Sequence, residues 1–240
     1  TSCGQKLSGK PAPKVVKGVL DLKGWSFKKD GPIELKGDWR FNWNKFVDPF
    51  KSGQVGQFEK VPGRWINYKN KYPKLGFATY SVTLKNPPKN SDLIFNLKRI
   101  SSSFKVFIVQ NGIINQERNG VLKKSKEGSI PGKRLLLKNY HSSGGDITIV
   151  FHLSNYFYRS GGFFVAPTLG PEQMMRQSSL QKQSLKILIS GILLMMALYH
   201  LALYLLRRAD KASLAFSIFC TLLMLRGFAT EGSLEYFFDM

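Results

Sequence analysis

The chain has 240 residues, 43% of them hydrophobic and 21% charged, which excludes a disordered polymer and leaves material for a sizeable core. Lys and Arg number 36 against 15 Asp and Glu, a net charge of +21 that permits an anionic partner without identifying one. The charge is uneven: residues 1–180 carry 30 basic and 11 acidic side chains and residues 181–240 carry 6 and 4, so a basic, polar part precedes a hydrophobic one.

Residues 1–17 mix Lys, Pro, Gly and Ser with little to bury and read as a flexible tether. Cys3, after Thr1 and Ser2 and before Gly4, fits the end of a bacterial lipoprotein cleavage box and is a candidate for lipidation; an incidental exposed cysteine is the alternative. The other cysteine, Cys220, lies in an apolar run near the C-terminus, so no disulfide reports the compartment.

Residues 18–172 are predicted to form a domain of short strands. GVLDLKGWSF (18–27) and ELKGDWRFNW (34–43) alternate. Further strands are predicted at 78–84, 92–100, 104–109, 112–116, 134–138, 146–153 and 163–170, each rich in β-branched or aromatic residues and bounded by turn residues. Asn111-Gly112 is the strongest hairpin signal, because a type I′ turn needs positive φ at both positions. Eight or nine strands without a sustained helical period predict a mainly β sandwich or jelly roll.

Within that domain the segment 154–162 has the chemistry of a sugar site. Asn155 offers donors and an acceptor, Arg159 a forked donor, and Tyr156 and Tyr158 stacking faces. The plain alternative is a structural loop in which Asn155 ties off backbone groups and the tyrosines cover a core edge. Arg99 with Ser101, Ser102 and Ser103 forms a second polar cluster between two strands. Trp25, Trp39, Trp43 and Trp65 read as core or sheet-packing residues, with Trp65 the exception that could serve as a sugar platform.

No catalytic or cofactor signature stands out. Glycosidase chemistry needs two carboxylates facing one bond, and the eleven acids of residues 1–180 form no cluster suggesting such a pair. His141, His152 and His200 lack metal-ligand spacing, with His152 reading as a packed or surface strand residue. No P-loop, dinucleotide fingerprint or nucleophile elbow is present. The expectation is a binding protein without cofactor or metal, rather than an enzyme.

Residues 173–186 read as a linker. Residues 187–206 contain no charged side chain and are long enough for a helix to cross about 30 Å of hydrocarbon. After the tight loop RRADK a second apolar run, 212–230, is long enough to cross if Arg226 is accommodated, either by snorkelling or by a polar contact within a helix bundle. Three bases in the loop and three just before the first helix, Arg176, Lys182 and Lys186, leave charge counting tied on orientation. With no initiator Met and a stop just after one predicted pair of helices, the sequence reads as a piece of a longer protein.

The ordered series GVLDLKGWSF, GPIELKGDWRFNWNKF, VPGRWINY, GFATYSVTL, the Asn-Gly hairpin, SNYFYRSGGFF and the closing LGP resembles the periplasmic jelly-roll domain of bacterial seven-transmembrane receptors with diverse intracellular signalling modules. That domain is itself similar to the galactose-binding-like jelly roll of glycoside hydrolases. YHLALYLLRRADKASLAFSIFCTLLMLR resembles the first two helices of the same receptors, so the resemblance spans residues 16–226. It implies a periplasmic sensor domain, the N-terminus outside the bacterial inner membrane, two helices of a larger bundle, and a signalling module beyond this chain. It also implies that the domain binds carbohydrate or another small ligand, and that the cluster around Arg99 shares a site with Arg159. At Phe157 and Tyr158 the sequence departs from the family, where His is common.

Three readings follow. In the first, a ligand captured by the jelly roll biases an intracellular module through the helices. In the second, a membrane-anchored protein binds anionic polymers through its lysine surface; its 26 Lys against 10 Arg favour diffuse charge over forked phosphate recognition, and no specific nucleic acid is expected. In the third, the domain pairs two copies into a homodimer.

Overall fold

The computed structural model describes residues 10–98, 100–132 and 135–229. Cys3 and Arg99 lie outside the described residues. The chain divides into two compact units, Thr1–Met175 and Arg176–Met240.

The first unit is mainly β. In chain order it contains β1 (Val19–Asp21), the one-turn helix α1 (Phe27–Asp30), β2 (Ile33–Glu34), β3 (Gly37–Trp43), β4 (Gln57–Val61) and β5 (Gly63–Arg64). A 3-10 turn at Trp65–Asn67 leads to β6 (Gly76–Lys85), β7 (Ser91–Lys98), β8 (Ile100–Ser101), β9 (Ser103–Gln110) and β10 (Ile113–Asn119). Then come β11 (Leu135–Ser142), β12 (Ile147–Asn155), β13 (Gly162–Phe163) and β14 (Thr168–Pro171).

A large sheet runs β10-β9-β12-β6-β3-β4, with β1 pairing β6 in parallel. A second sheet runs β11-β7-β14-β2, and a small third one β5-β13-β8. The period of two puts one side of each strand inward. Trp39 and Phe41 of β3, Tyr80 and Val82 of β6, and Ile149, Phe151 and Leu153 of β12 face a single core, which Leu93, Phe95 and Leu97 of β7 and Leu169 of β14 complete. The large sheet and the second sheet therefore share one hydrophobic interior.

Asn111 and Gly112 both have positive φ, 51° and 77°, as the β9–β10 turn requires. Several predicted elements differ; the predicted strand 34–43, for one, is broken into β2 and β3. The stretch 18–27 gives β1 but then turns into α1, where Asp30 accepts from the Ser26 amide at 2.8 Å and closes the turn. The predicted strand 163–170 is split into β13 and β14, the gap containing Pro167, which has no amide to donate. Val15, assigned to the tether, is buried at 2% exposure and bridges Gly37, its amide donating to the Lys36 carbonyl at 2.7 Å. An apolar residue within reach of a sheet edge docks there.

α2 (Glu172–Leu206) starts with the last residues of the first unit and continues into the second, so residues 173–186 are helical. That stretch has no Pro or Gly and is rich in Gln, Met, Leu and Lys, all good helix formers. Its part Ser184–Leu206 is long and apolar enough to cross a membrane. Ile187, Leu188, Ile192, Met195 and Leu198 are each more than half exposed, unlike the buried side chains of a soluble core helix. α3 (Lys211–Ala229) covers the second apolar run. Asp210 caps it, accepting from the Ser213 hydroxyl at 2.6 Å and the Ala212 amide at 3.2 Å, and these hydrogen bonds hold its carboxyl below the usual range. Ser217 Oγ of α3 donates to the Ala197 carbonyl of α2 at 2.9 Å, and the Phe216 ring lies 4.5 Å from that of His200.

Candidate functional site

The residues singled out from sequence converge on one end of the β unit. Gly162 of β13 pairs with Arg64 of β5 on one side and Ser101 of β8 on the other. β12 delivers Ser154 opposite Ser103, and its last residue, Asn155, starts the loop that returns to β13. Ser101, Ser103, Asn155, Tyr156, Tyr158, Arg159 and Trp65 therefore meet at the small sheet and the loop leaving it.

Most of the polar groups there are spent on the framework. Ser103 Oγ lies 2.8 Å from Ser154 Oγ, and Ser102 sends both its amide and its hydroxyl to the Ser154 carbonyl at 3.0 Å. Ser101, Ser102 and Ser103 are all buried. Asn155 is fully buried: its Nδ2 donates to the carbonyls of Lys74 and Tyr158, each at 2.9 Å, and its Oδ1 accepts the Tyr158 amide at 3.1 Å. A buried polar side chain must be satisfied in this way, and a ligand would have to break those bonds to engage it. Asn155 is thus a positioning residue that fixes the backbone of Tyr158.

Trp65 is also fully buried, its indole Nε1 donating to the Tyr80 hydroxyl at 2.8 Å. Tyr68 adds its own hydroxyl 3.0 Å from that of Tyr80, and burial raises both phenol pKa values. A Cβ at Gly161 would lie 2.3 Å from the Trp65 ring, so only glycine fits beside it. Trp65 is therefore core, not a sugar platform. Trp39 is likewise buried, while Trp25 and Trp43 pack half-buried against the core.

What remains on the surface is a rim of aromatic and cationic side chains. Phe157, Tyr158 and Phe164 are 47%, 39% and 37% exposed, and Arg159 and Arg64 are exposed with them. The Arg64 guanidinium carbon lies 5.5 Å from the centre of the Phe164 ring, a cation–π contact. Tyr156 is half-buried and donates its hydroxyl to the Lys124 carbonyl, tying the rim to the turn bridged by Val121 and Ile130. Burial raises the Tyr156 phenol pKa. Such a rim can stack on a sugar face and hold an oxygen in a guanidinium fork.

Sequence reasoning missed Arg64 and Phe164. The signal lay in the Gly-Arg after Val61-Pro62 and the Gly-Phe-Phe of 162–164, but the pairing of β5 with β13 is what brings them together. Among the described residues, no group of three or more His, Cys, Asp or Glu is placed to hold a metal ion.

No family model and no curated protein matches the chain. Among solved structures it is similar to a β-glucuronidase of Faecalibacterium prausnitzii at 12% identity and TM-score 0.44, covering 59% of this chain and 31% of that one. A Ruminococcus gnavus β-glucuronidase matches at 14% identity and TM-score 0.40, over 59% and 28%. A Bacteroides uniformis β-glucuronidase matches at 16% and 0.42, over 57% and 17%. The chain thus spans less than a third of each of these enzymes, and at such distances nothing about their activity passes to it.

Proposed function

We propose that this chain is the outer and first membrane-embedded part of a bacterial signalling receptor. Its β unit is read as a galactose-binding-like jelly roll on the periplasmic side of the inner membrane, with α2 and α3 as the first two helices of a bundle. The unit captures a carbohydrate or another small ligand at the Tyr158–Arg159–Arg64–Phe164 rim and couples it to an intracellular signalling module outside these 240 residues. It binds and does not catalyse.

One observation carries the reading: an exposed aromatic–guanidinium rim, pinned from below by Asn155 and Trp65, in the same chain as an apolar helix with few buried residues. A rigid framework under adaptable exposed groups is the arrangement binding sites favour, because ordering costs are met in folding.

The test is a glycan array probed with the full chain in detergent micelles at near-physiological salt. Selective retention of a small set of glycans is expected. Silence across the array together with salt-sensitive retention on heparin would replace this reading with that of an anionic-polymer binder.

A further inference from the structure

A groove on the β unit, away from the small sheet, has a volume of about 680 Å3, within the range of small-molecule sites. The segment around α1 lines it with Trp25 and Lys28, the start of β7 with Asp92, and the end of β14 with Pro171 followed by Glu172 and Gln173, the first residues of α2.

We infer that this groove is a second binding site, for a neutral pyranose saccharide, and that its occupant touches the first turn of the helix leading to the apolar span. The inference goes beyond the rim reading and does not depend on it.

The chemistry selects that class. Trp25 is fixed in place: its indole Nε1 donates to the Gly31 carbonyl at 3.1 Å and its amide to the Leu22 carbonyl at 3.0 Å. With the N–H committed, the ring offers an apolar face, and Pro171 offers another; flat apolar faces suit the C–H side of a pyranose. Asp92 is held by His141, whose Nδ1 lies 2.8 Å from Oδ1, yet its side chain is 69% exposed. A carboxylate accepts two hydroxyls of a vicinal diol, and the Gln173 amide offers both donor and acceptor. Lys28 opposes the acids Asp92 and Glu172, so the groove lacks the single-sign field that would select a strongly charged ligand. The rim, with Arg64 and Arg159, has the opposite bias.

Position gives the site its consequence. Glu172 and Gln173 open the helix whose residues Ser184–Leu206 form the apolar span. A ligand bonded to them interacts with that helix directly, which is what a ligand must do to bias it.

The test is a titration of the full chain in detergent micelles with methyl β-galactopyranoside, methyl β-glucopyranoside, lactose and cellobiose, read by tryptophan fluorescence, with glucuronic acid as the charged comparison. A saturable change with at least one neutral sugar is expected. Its Kd should rise at least tenfold in Asp92→Asn and in Gln173→Ala, and its amplitude should fall in Trp25→Phe. His141→Ala, which removes the contact to Oδ1 and keeps the carboxylate, should stay within about threefold of wild type on this account. The titration is repeated in Arg64→Ala/Arg159→Ala, which disables the rim: a saturable response that persists there and is lost on adding Asp92→Asn belongs to the groove, so failure at the rim and failure in the groove are separable. The assignment is overturned by the absence of a saturable response to every neutral sugar. Equal Kd values in that background with and without Asp92→Asn, or tighter binding of glucuronic acid there, also overturn it.

Discussion

The indole nitrogen of Trp65 donates to the hydroxyl of Tyr80 at 2.8 Å, a bond made wholly inside the core between residues fifteen positions apart. It settles how the end of the β unit is built. A tryptophan that could have served as a ligand platform anchors β13 instead, and the exposed rings of the neighbouring loop are left to face solvent.

Trp65→Ala is expected to destabilise the β unit by about 3–5 kcal/mol, the cost of truncating a large buried aromatic. Trp65→Phe should cost less, but it leaves the Tyr80 hydroxyl without its indole donor. Chemical denaturation in micelles, followed by near-ultraviolet circular dichroism, measures both. A change below about 1 kcal/mol in the alanine variant would contradict the buried position of the ring.

Gly161→Ala carries a sharper steric demand. The new Cβ would fall 2.3 Å from the Trp65 ring, and the Gly161 carbonyl accepts the Trp65 amide at 3.1 Å. Overpacking of this kind costs about 1–3 kcal/mol. The same denaturation experiment reads it, and the second substitution in Trp65→Ala/Gly161→Ala should cost much less than in the wild type. Strict additivity of the two would count against direct contact.

Asn155→Ala removes three hydrogen bonds, taking this partner from the Tyr158 carbonyl and amide, while the Lys74 carbonyl keeps the Gly161 amide at 3.3 Å. A loss of about 1–3 kcal/mol is expected for removing these part-buried hydrogen bonds. Amide exchange at Tyr158 should accelerate along with it. Unchanged exchange there would show that Asn155 does not hold the rim's backbone.

His152 sets a pH dependence. Its Nε2 lies 2.8 Å from the Val47 carbonyl, and its ring stacks on Phe46 at 4.8 Å and meets Phe107 edge-on at 4.9 Å. Burial, the largest cause, holds its pKa below the ordinary 6.5; Lys105 acts in the same direction, and the bond to Val47 opposes them. The folded state therefore prefers the neutral ring. The stability it contributes is complete above pH 6.5 and is lost as pH falls through the lower folded pKa. The stability difference between wild type and His152→Gln should shrink as pH is lowered through that window. A difference that stays flat from pH 8 to pH 5 would refute the assignment.

Much of this architecture was legible in the sequence, for identifiable reasons. Asn111-Gly112 announces its turn because few residues accept positive φ twice in succession, and both angles are positive. The alternation of Trp39 with Phe41 and of Ile149 with Phe151 marks inward faces directly. The loop 154–162 was found by its chemistry, but its division of labour was not. Whether Asn155 faces a ligand or the Lys74 carbonyl depends on a contact 81 residues away. Arg64 and Phe164 meet through a strand pairing that neither local sequence records. The helix over 173–186 escaped notice because its polar side chains resemble a linker in composition, although its propensity is helical.

The rim tests the account most directly. The measurement is calorimetric titration of the full chain in micelles with a glycan retained on the array, alongside Tyr158→Ala, Arg159→Ala and Ser103→Ala. Tyr158→Ala and Arg159→Ala should each weaken binding about tenfold or more while the fold stays intact, as expected for truncating an aromatic or arginine anchor. Ser103→Ala should lower stability and leave the affinity of the folded protein near that of wild type. Unchanged affinity in both rim variants, or a selective loss in Ser103→Ala, would contradict the account.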